Sequence, residues 1–152
     1  METNHAVGDA RTAEGTLDGL LAQLMDRIPG TVQVLLASGD GLKLAHTDKD
    51  INTADAMAAV MSGLNSLGGA TFKGLPGGVR QVVVEHDAGA LFVMSADAGA
   101  TDPRVVGTVL GVVASPTADL GAVGFEMTRL ITGLDEHLIV QARTNNFAGQ
   151  GK

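Results

Sequence analysis

The chain has 152 residues, enough for one ordinary domain, with 45% hydrophobic residues, a formal net charge of −7 and a pI near 4.8. That charge argues against nucleic acid, whose phosphates need clustered Lys and Arg, and against polybasic attraction to a membrane, because the ten basic residues are scattered. The lack of Cys removes disulfides, thiolate metal sites and a Cys nucleophile, and the longest apolar run, Val105 to Ala114, is far shorter than the ~20 residues of a spanning helix, so no direct membrane insertion is expected.

Residues 1–15 alternate small and charged types without a period and are expected to be a flexible tail. A first helix is expected from Thr16, its cap, because Leu17, Leu20, Leu21, Leu24 and Ile28 recur at helical spacing and Pro29-Gly30 stops the run. Thr31 to Ala37 is β-branched and aliphatic, and Leu42 to His46 alternates. The Asp40-Gly41 pair between them signals a hairpin with a tight primed turn. A second helix is expected from Asn52 or Thr53, either of which could cap it, to about Phe72, with Asp55 in its first turn.

That second helix has an unusual composition. Met57, Val60, Met61, Leu64 and Leu67 form one face, and Ala56, Ala59, Gly63, Ser66 and Ala70 form a second face of small residues. No charge occurs between Ala56 and Phe72, whereas a surface helix normally carries charge opposite its apolar stripe. Such a helix is expected to be covered on two sides, one by its own sheet and one by a partner.

Val79 to His86 and Ala90 to Ala96 read as a second hairpin around Asp87-Ala88-Gly89. Val105 to Ala114 is apolar on both faces and is expected to be the central strand. Pro116 and Asp119 open a last helix, with Leu120, Val123, Met127, Leu130, Ile131, Leu134 and Leu138 in register. The fold class is therefore α+β, in the order α-β-β-α-β-β-β-α, with a five-stranded, mainly antiparallel sheet and three helices. The domain is expected to span residues 16–141, followed by a second flexible tail over 142–152.

No catalytic, cofactor or metal site emerges. The glycine-rich segments lack both the Walker A arrangement and G-x-G-x-x-G spacing. His5, His46, His86 and His137 form neither H-x-x-x-H nor H-E-x-x-H, no G-x-S-x-G elbow occurs, and Asp135 and Glu136 are sequence neighbours that point apart on a helix. Arg27, Arg80, Arg104, Arg129 and Arg143 are candidate donors to a nucleotide-hydrolysing partner. Of these, only Arg104, after Asp102-Pro103, is well placed on a loop.

Several segments match one family in combination. They are Leu17-Asp18-Gly19-Leu20-Leu21 leading to Ile28-Pro29-Gly30, the hairpin Leu36-Ala37-Ser38-Gly39-Asp40-Gly41-Leu42, and Arg80 to Glu85 followed by Gly89 to Val93. Ala114 to Gly121 followed by Phe125-Glu126-Met127 completes the set. In these the chain resembles the Roadblock, or dynein light chain-related, proteins, and in particular the actinobacterial conservon-type members. The resemblance covers Leu17 to Leu138. It implies a profilin-like sheet of order 2-1-5-4-3, no cofactor, and dimerisation through the second helix and third strand. It also implies a small Ras-like GTPase as partner, with a sensor histidine kinase-like protein in the same complex.

Some bacterial members stimulate GTP hydrolysis by remodelling the GTPase rather than by lending chemistry. An alternative role is a dimeric scaffold that leaves the nucleotide cycle untouched. The location implied is the cytoplasm, with membrane association through partners. The expected homodimer interface is Met57, Val60, Met61, Leu64 and Leu67 with Val82, Val83 and Val84. In the implied strand order those three valines sit on an exposed, β-prone edge without internal charge, whereas Lys43 guards the opposite edge. Calorimetric titration with GTP, GDP and ATP is expected to give no heat above dilution. A micromolar constant for any of the three would remove the binding-module reading.

Overall fold

In a computed structural model, residues 17–96 and 107–133 are described. The elements are α1 (Leu17–Arg27), β1 (Thr31–Ala37), β2 (Lys43–His46), α2 (Ile51–Ala70), β3 (Gln81–His86), β4 (Gly89–Ser95) and β5 (Val109–Ala114), and residues 120–133 are helical and form α3. The tails at 1–15 and 142–152, the domain limits at 16 and 141, and Thr16, Val105, Arg104, Leu134, Asp135, Glu136, His137, Leu138 and Arg143 lie outside the described residues.

The strands form one antiparallel sheet of order β2-β1-β5-β4-β3, so β5 is central and β2 and β3 are the edges. Helices lie on both faces. Leu21 and Leu24 of α1 and Val123, Met127 and Ile131 of α3 bury one core with Val34, Leu36, Ala90, Phe92, Leu110 and Val112. Ala54, Ala58 and Met61 of α2 bury a second core with Leu35, Ala37, Val93 and Val109. The strand period of two sends alternate residues to opposite cores, which is why β1 and β5 are apolar on both sides.

Local chemistry differs from expectation at several points. The cap of α2 is Asp50, two residues before Asn52 and three before Thr53. Its carboxylate accepts from Asn52 N at 3.0 Å and from Thr53 Oγ1 at 3.0 Å. Asp55 therefore falls beyond the first turn, and its carboxylate pairs instead with Lys43 Nζ on β2. Residues 71–80 form an exposed connection, so β3 begins at Gln81 rather than Val79 and α2 ends before Phe72. The first hairpin does not use a primed turn, because Asp40 has no positive φ. Gly41 alone does, at +88°, and its N–H donates to the Ser38 carbonyl at 3.1 Å, while Ser38 N–H donates to the Leu42 carbonyl. That is a three-residue loop closed by a left-handed glycine; a separate irregularity at Leu44 shifts the β1–β2 register between Leu36 and Ala37. At α3, Asp119 is the cap, accepting from Gly121 N at 3.0 Å, while Pro116 lies in the preceding turn.

The sheet tolerates no side chain at Gly89, where β4 starts. A Cβ there would strike the Ala114 carbonyl of β5. Gly89→Ala is expected to lower stability by roughly 2 kcal/mol or more, since backbone rather than a rotatable side chain must yield. Urea denaturation of the variant checks this, and an unchanged midpoint would contradict the close approach.

Candidate protein-binding surface

α2 runs across its face of the sheet. At one side its Asp55 meets Lys43 of β2, and Ser62 Oγ donates to the Ser38 carbonyl at 2.9 Å. At the other, Gly68 lies against Val79 and Val82 beside the β3 edge. In between, Met61 sits over Gly111, where any Cβ would collide with its thioether. Small inward residues at Ala54 and Ala58 bring the helix close to the sheet.

This geometry divides the residues expected at the interface. Met61 is 0% exposed and packs in the protein's own core. Met57, Leu64 and Val82 are half-buried against that core and present only part of their surface. Val60 and Leu67 are exposed, Leu67 by 70%, and so are Val83 and Val84. The small-residue line Ala56, Ala59, Ser66 and Ala70 is exposed as well. Gly63 lies on the same outward side, and a Cβ there would meet nothing within 4 Å. A mid-helix glycine costs about 1 kcal/mol relative to Ala, and here the fold itself gives no contact in return.

Sequence reasoning missed two further exposed apolar residues, Phe72 and Leu75, both in the connection to β3. Their signal was present: two large apolar side chains in a segment that forms neither helix nor strand. On the same sheet face Leu91 and Val113 are only half-buried, because one helix covers what two helices cover on the other side.

A second concavity, of about 530 Å³, was also missed. It lies between α3 and the β3–β4 hairpin and is lined by Gln81, Phe92, Met94, Leu120, Gly124 and Phe125, with Thr128 and Arg129 at its margin. Thr128 Oγ1 lies 3.7 Å from Met94 Sδ. Phe125 is 68% exposed and sits off the helix's apolar stripe, which is the sequence signal for it.

The candidate arginines are mostly engaged or unplaced. Arg27 and Arg129 flank the carboxylate of Glu126 at 3.8 and 3.9 Å. Arg80 is exposed just before β3, and its carbonyl accepts from Ser95 N–H at 3.2 Å. Among the described residues no group of three or more His, Asp or Glu is placed to hold a metal ion, and no helix is long and apolar enough to cross a membrane.

Comparison with known proteins bears on this arrangement. The Roadblock/LC7 domain family model matches residues 17–101. A Roadblock/LC7 domain from Streptomyces avermitilis is 40% identical, with a TM-score of 0.71 over 81% of this chain and 98% of that one. A second from the same organism is 28% identical, with a TM-score of 0.60 over 78% and 97%. MglB of Myxococcus xanthus shares the fold at 16% identity, with a TM-score of 0.64 over 82% and 94%. No curated protein sequence matches. The family match, the 40% identity and the sheet order agree: the chain belongs to the Roadblock/LC7 family.

Proposed function

We propose that this protein is a non-catalytic homodimer that binds and regulates a small Ras-like GTPase. The observation that carries the reading is the set of exposed apolar residues on the outer face of α2, with no charge between Ala56 and Phe72, beside the edge strand β3 with its exposed Val83 and Val84. An exposed edge that is β-prone and unguarded invites a further strand. Pairing two β3 edges gives a ten-stranded sheet, near the usual upper limit of strand number. Such pairing brings Val60, Leu67 and the half-buried Met57 and Leu64 toward the partner's α2, in an isologous contact. Assembly of relatives supports this, since one solved MglB is described in a tetrameric arrangement.

The GTPase comes from the family resemblance. With no chemistry of its own to lend, the protein acts by favouring one switch conformation of its partner, to the extent that it binds the two states unequally. The place of action is the cytoplasm, or the membrane through a partner such as a sensor histidine kinase-like protein.

Leu67→Asp tests the dimer cleanly, because Leu67 makes no part of the protein's own core. Wild type is expected to run as a dimer in sedimentation. The variant should be a folded monomer, since burying an unpaired carboxylate costs several kcal/mol. A variant dimer of unchanged affinity would exclude this interface.

Stimulated hydrolysis by the cognate GTPase is the second test, with Arg27, Arg80, Arg104, Arg129 and Arg143 each replaced by Ala. A donated arginine is worth roughly 10³ to 10⁵ in rate. Every variant is expected to keep stimulation within a few-fold. Loss in one variant that still binds normally would overturn the remodelling mechanism, and binding without any stimulation would favour the scaffold role.

A further inference from the structure

The edge strand β3 carries different residues on its two faces. Gln81, Val83 and Glu85 stand opposite Met94, Phe92 and Ala90 of β4, on the face that carries α3. Val82 and Val84 stand opposite Val93 and Leu91, on the face that carries α2. The apolar centre is therefore flanked by Gln81 and Glu85, each two residues from Val83 and on the same face as it. His86, and Arg80 just before the strand, lie one step further out. Glu85 is exposed, and the ion pairs among the described residues do not involve it.

We infer that β3 recognises a second copy of itself in a single register, antiparallel about Val83, with the Gln81 amide of each chain donating to the partner's Glu85 carboxylate. This register rests on the β3-paired homodimer proposed above, and Gln81 and Glu85 are the residues that select the partner strand.

Symmetry narrows the choice first. In an antiparallel pair related by a two-fold axis, residues directly opposite one another share a face of the sheet. A slip of one residue would set the α2 face against the α3 face, so the axis passes through a residue of β3 and the possible registers differ by two.

Side-chain chemistry then decides among the valines. With Val83 on the axis, Val82 meets the partner's Val84, Val83 meets its own copy, and Gln81 meets the partner's Glu85. The two Glu85 carboxylates then stand about 14 Å apart along the strands, beyond the screening length of about 8 Å at physiological ionic strength. On the other face Arg80 meets the partner's His86, so polar residues meet polar ones at both ends. With Val82 on the axis, Arg80 faces the partner's Val84 and Gln81 faces the partner's Val83. With Val84 on the axis, Glu85 faces the partner's Val83, and the two carboxylates come within about 7 Å along the strands. Both alternatives set a polar group against a valine. A carboxylate accepting from an amide N–H makes a charge-assisted hydrogen bond, stronger than a neutral one. A strand without a donor opposite Glu85 leaves that carboxylate unpartnered, which is how the pair discriminates against other strands.

The test uses the full chain, which contains no Cys, so one introduced thiol reports one position. Val82→Cys, Val83→Cys and Val84→Cys are each oxidised, and their covalent dimers are compared on a denaturing gel. Val83→Cys is expected to cross-link at least tenfold faster than the other two, because only a residue on the axis meets its own copy. Gln81→Glu sets carboxylates opposite each other at both ends, and sedimentation should show a dimer at least tenfold weaker. Gln81→Glu combined with Glu85→Gln exchanges the pair and should restore wild-type affinity, which a shifted register would not do.

Fastest cross-linking at Val82 or Val84 overturns the register and leaves the β3-paired dimer standing, as does a double variant no tighter than Gln81→Glu alone. A protein that sediments as a dimer but cross-links at none of the three positions has its seam away from β3, and overturns both the register and β3 pairing. A monomeric wild type overturns the dimer, and the register with it.

Discussion

The structure depends on an uneven division of cover: two helices on one face of a five-stranded sheet and one on the other. α2 must serve its face alone, and it does so by lying across the strands, from the Lys43–Asp55 ion pair to the contact of Gly68 with Val79 and Val82. To come close enough it turns alanines inward and seats Met61 over Gly111. Small residues inside leave larger ones outside, so Val60 and Leu67 face away from the sheet. A Leu or Val side chain moved from water into a contact contributes about 1.5–3 kcal/mol, and the fold leaves several such gains to be made by association.

Electrostatics keep that option open. The sole charge within α2 is Asp55, and it is held at the β2 side by Lys43, away from the β3 edge. Covering the rest of the helix therefore strips water from no ion, and the large cost of burying charge does not arise. The opposite edge carries Lys43 within a four-residue strand, a short and charged end that does not invite pairing. One edge of the sheet is thus closed to association and the other open.

Much of this is legible in the sequence, and the residues show where legibility ends. Periodicity of 3.6 locates the helices among the described residues, where one-faced burial leaves a pattern in one dimension, and β2 alternates, whereas the doubly buried β1 and β5 show only as β-branched or apolar runs. The strand order comes from family resemblance, since no local pattern states which strand neighbours which. The cap of α2 is ambiguous in the sequence because Asp50, Asn52 and Thr53 are all good cap types within four residues, and only the backbone turn selects Asp50. The hairpin was read as a primed turn because Asp-Gly suits that turn, yet the same pair also suits a three-residue loop with Gly41 alone left-handed.

The split of α2 was harder. Val60 and Met61 are adjacent and equally apolar, and their fates diverge because Gly111, fifty residues away in sequence, offers a hollow to one of them. The groove at α3 has no local pattern in the sequence, because it is bounded by β3, over which no helix lies on that face among the described residues.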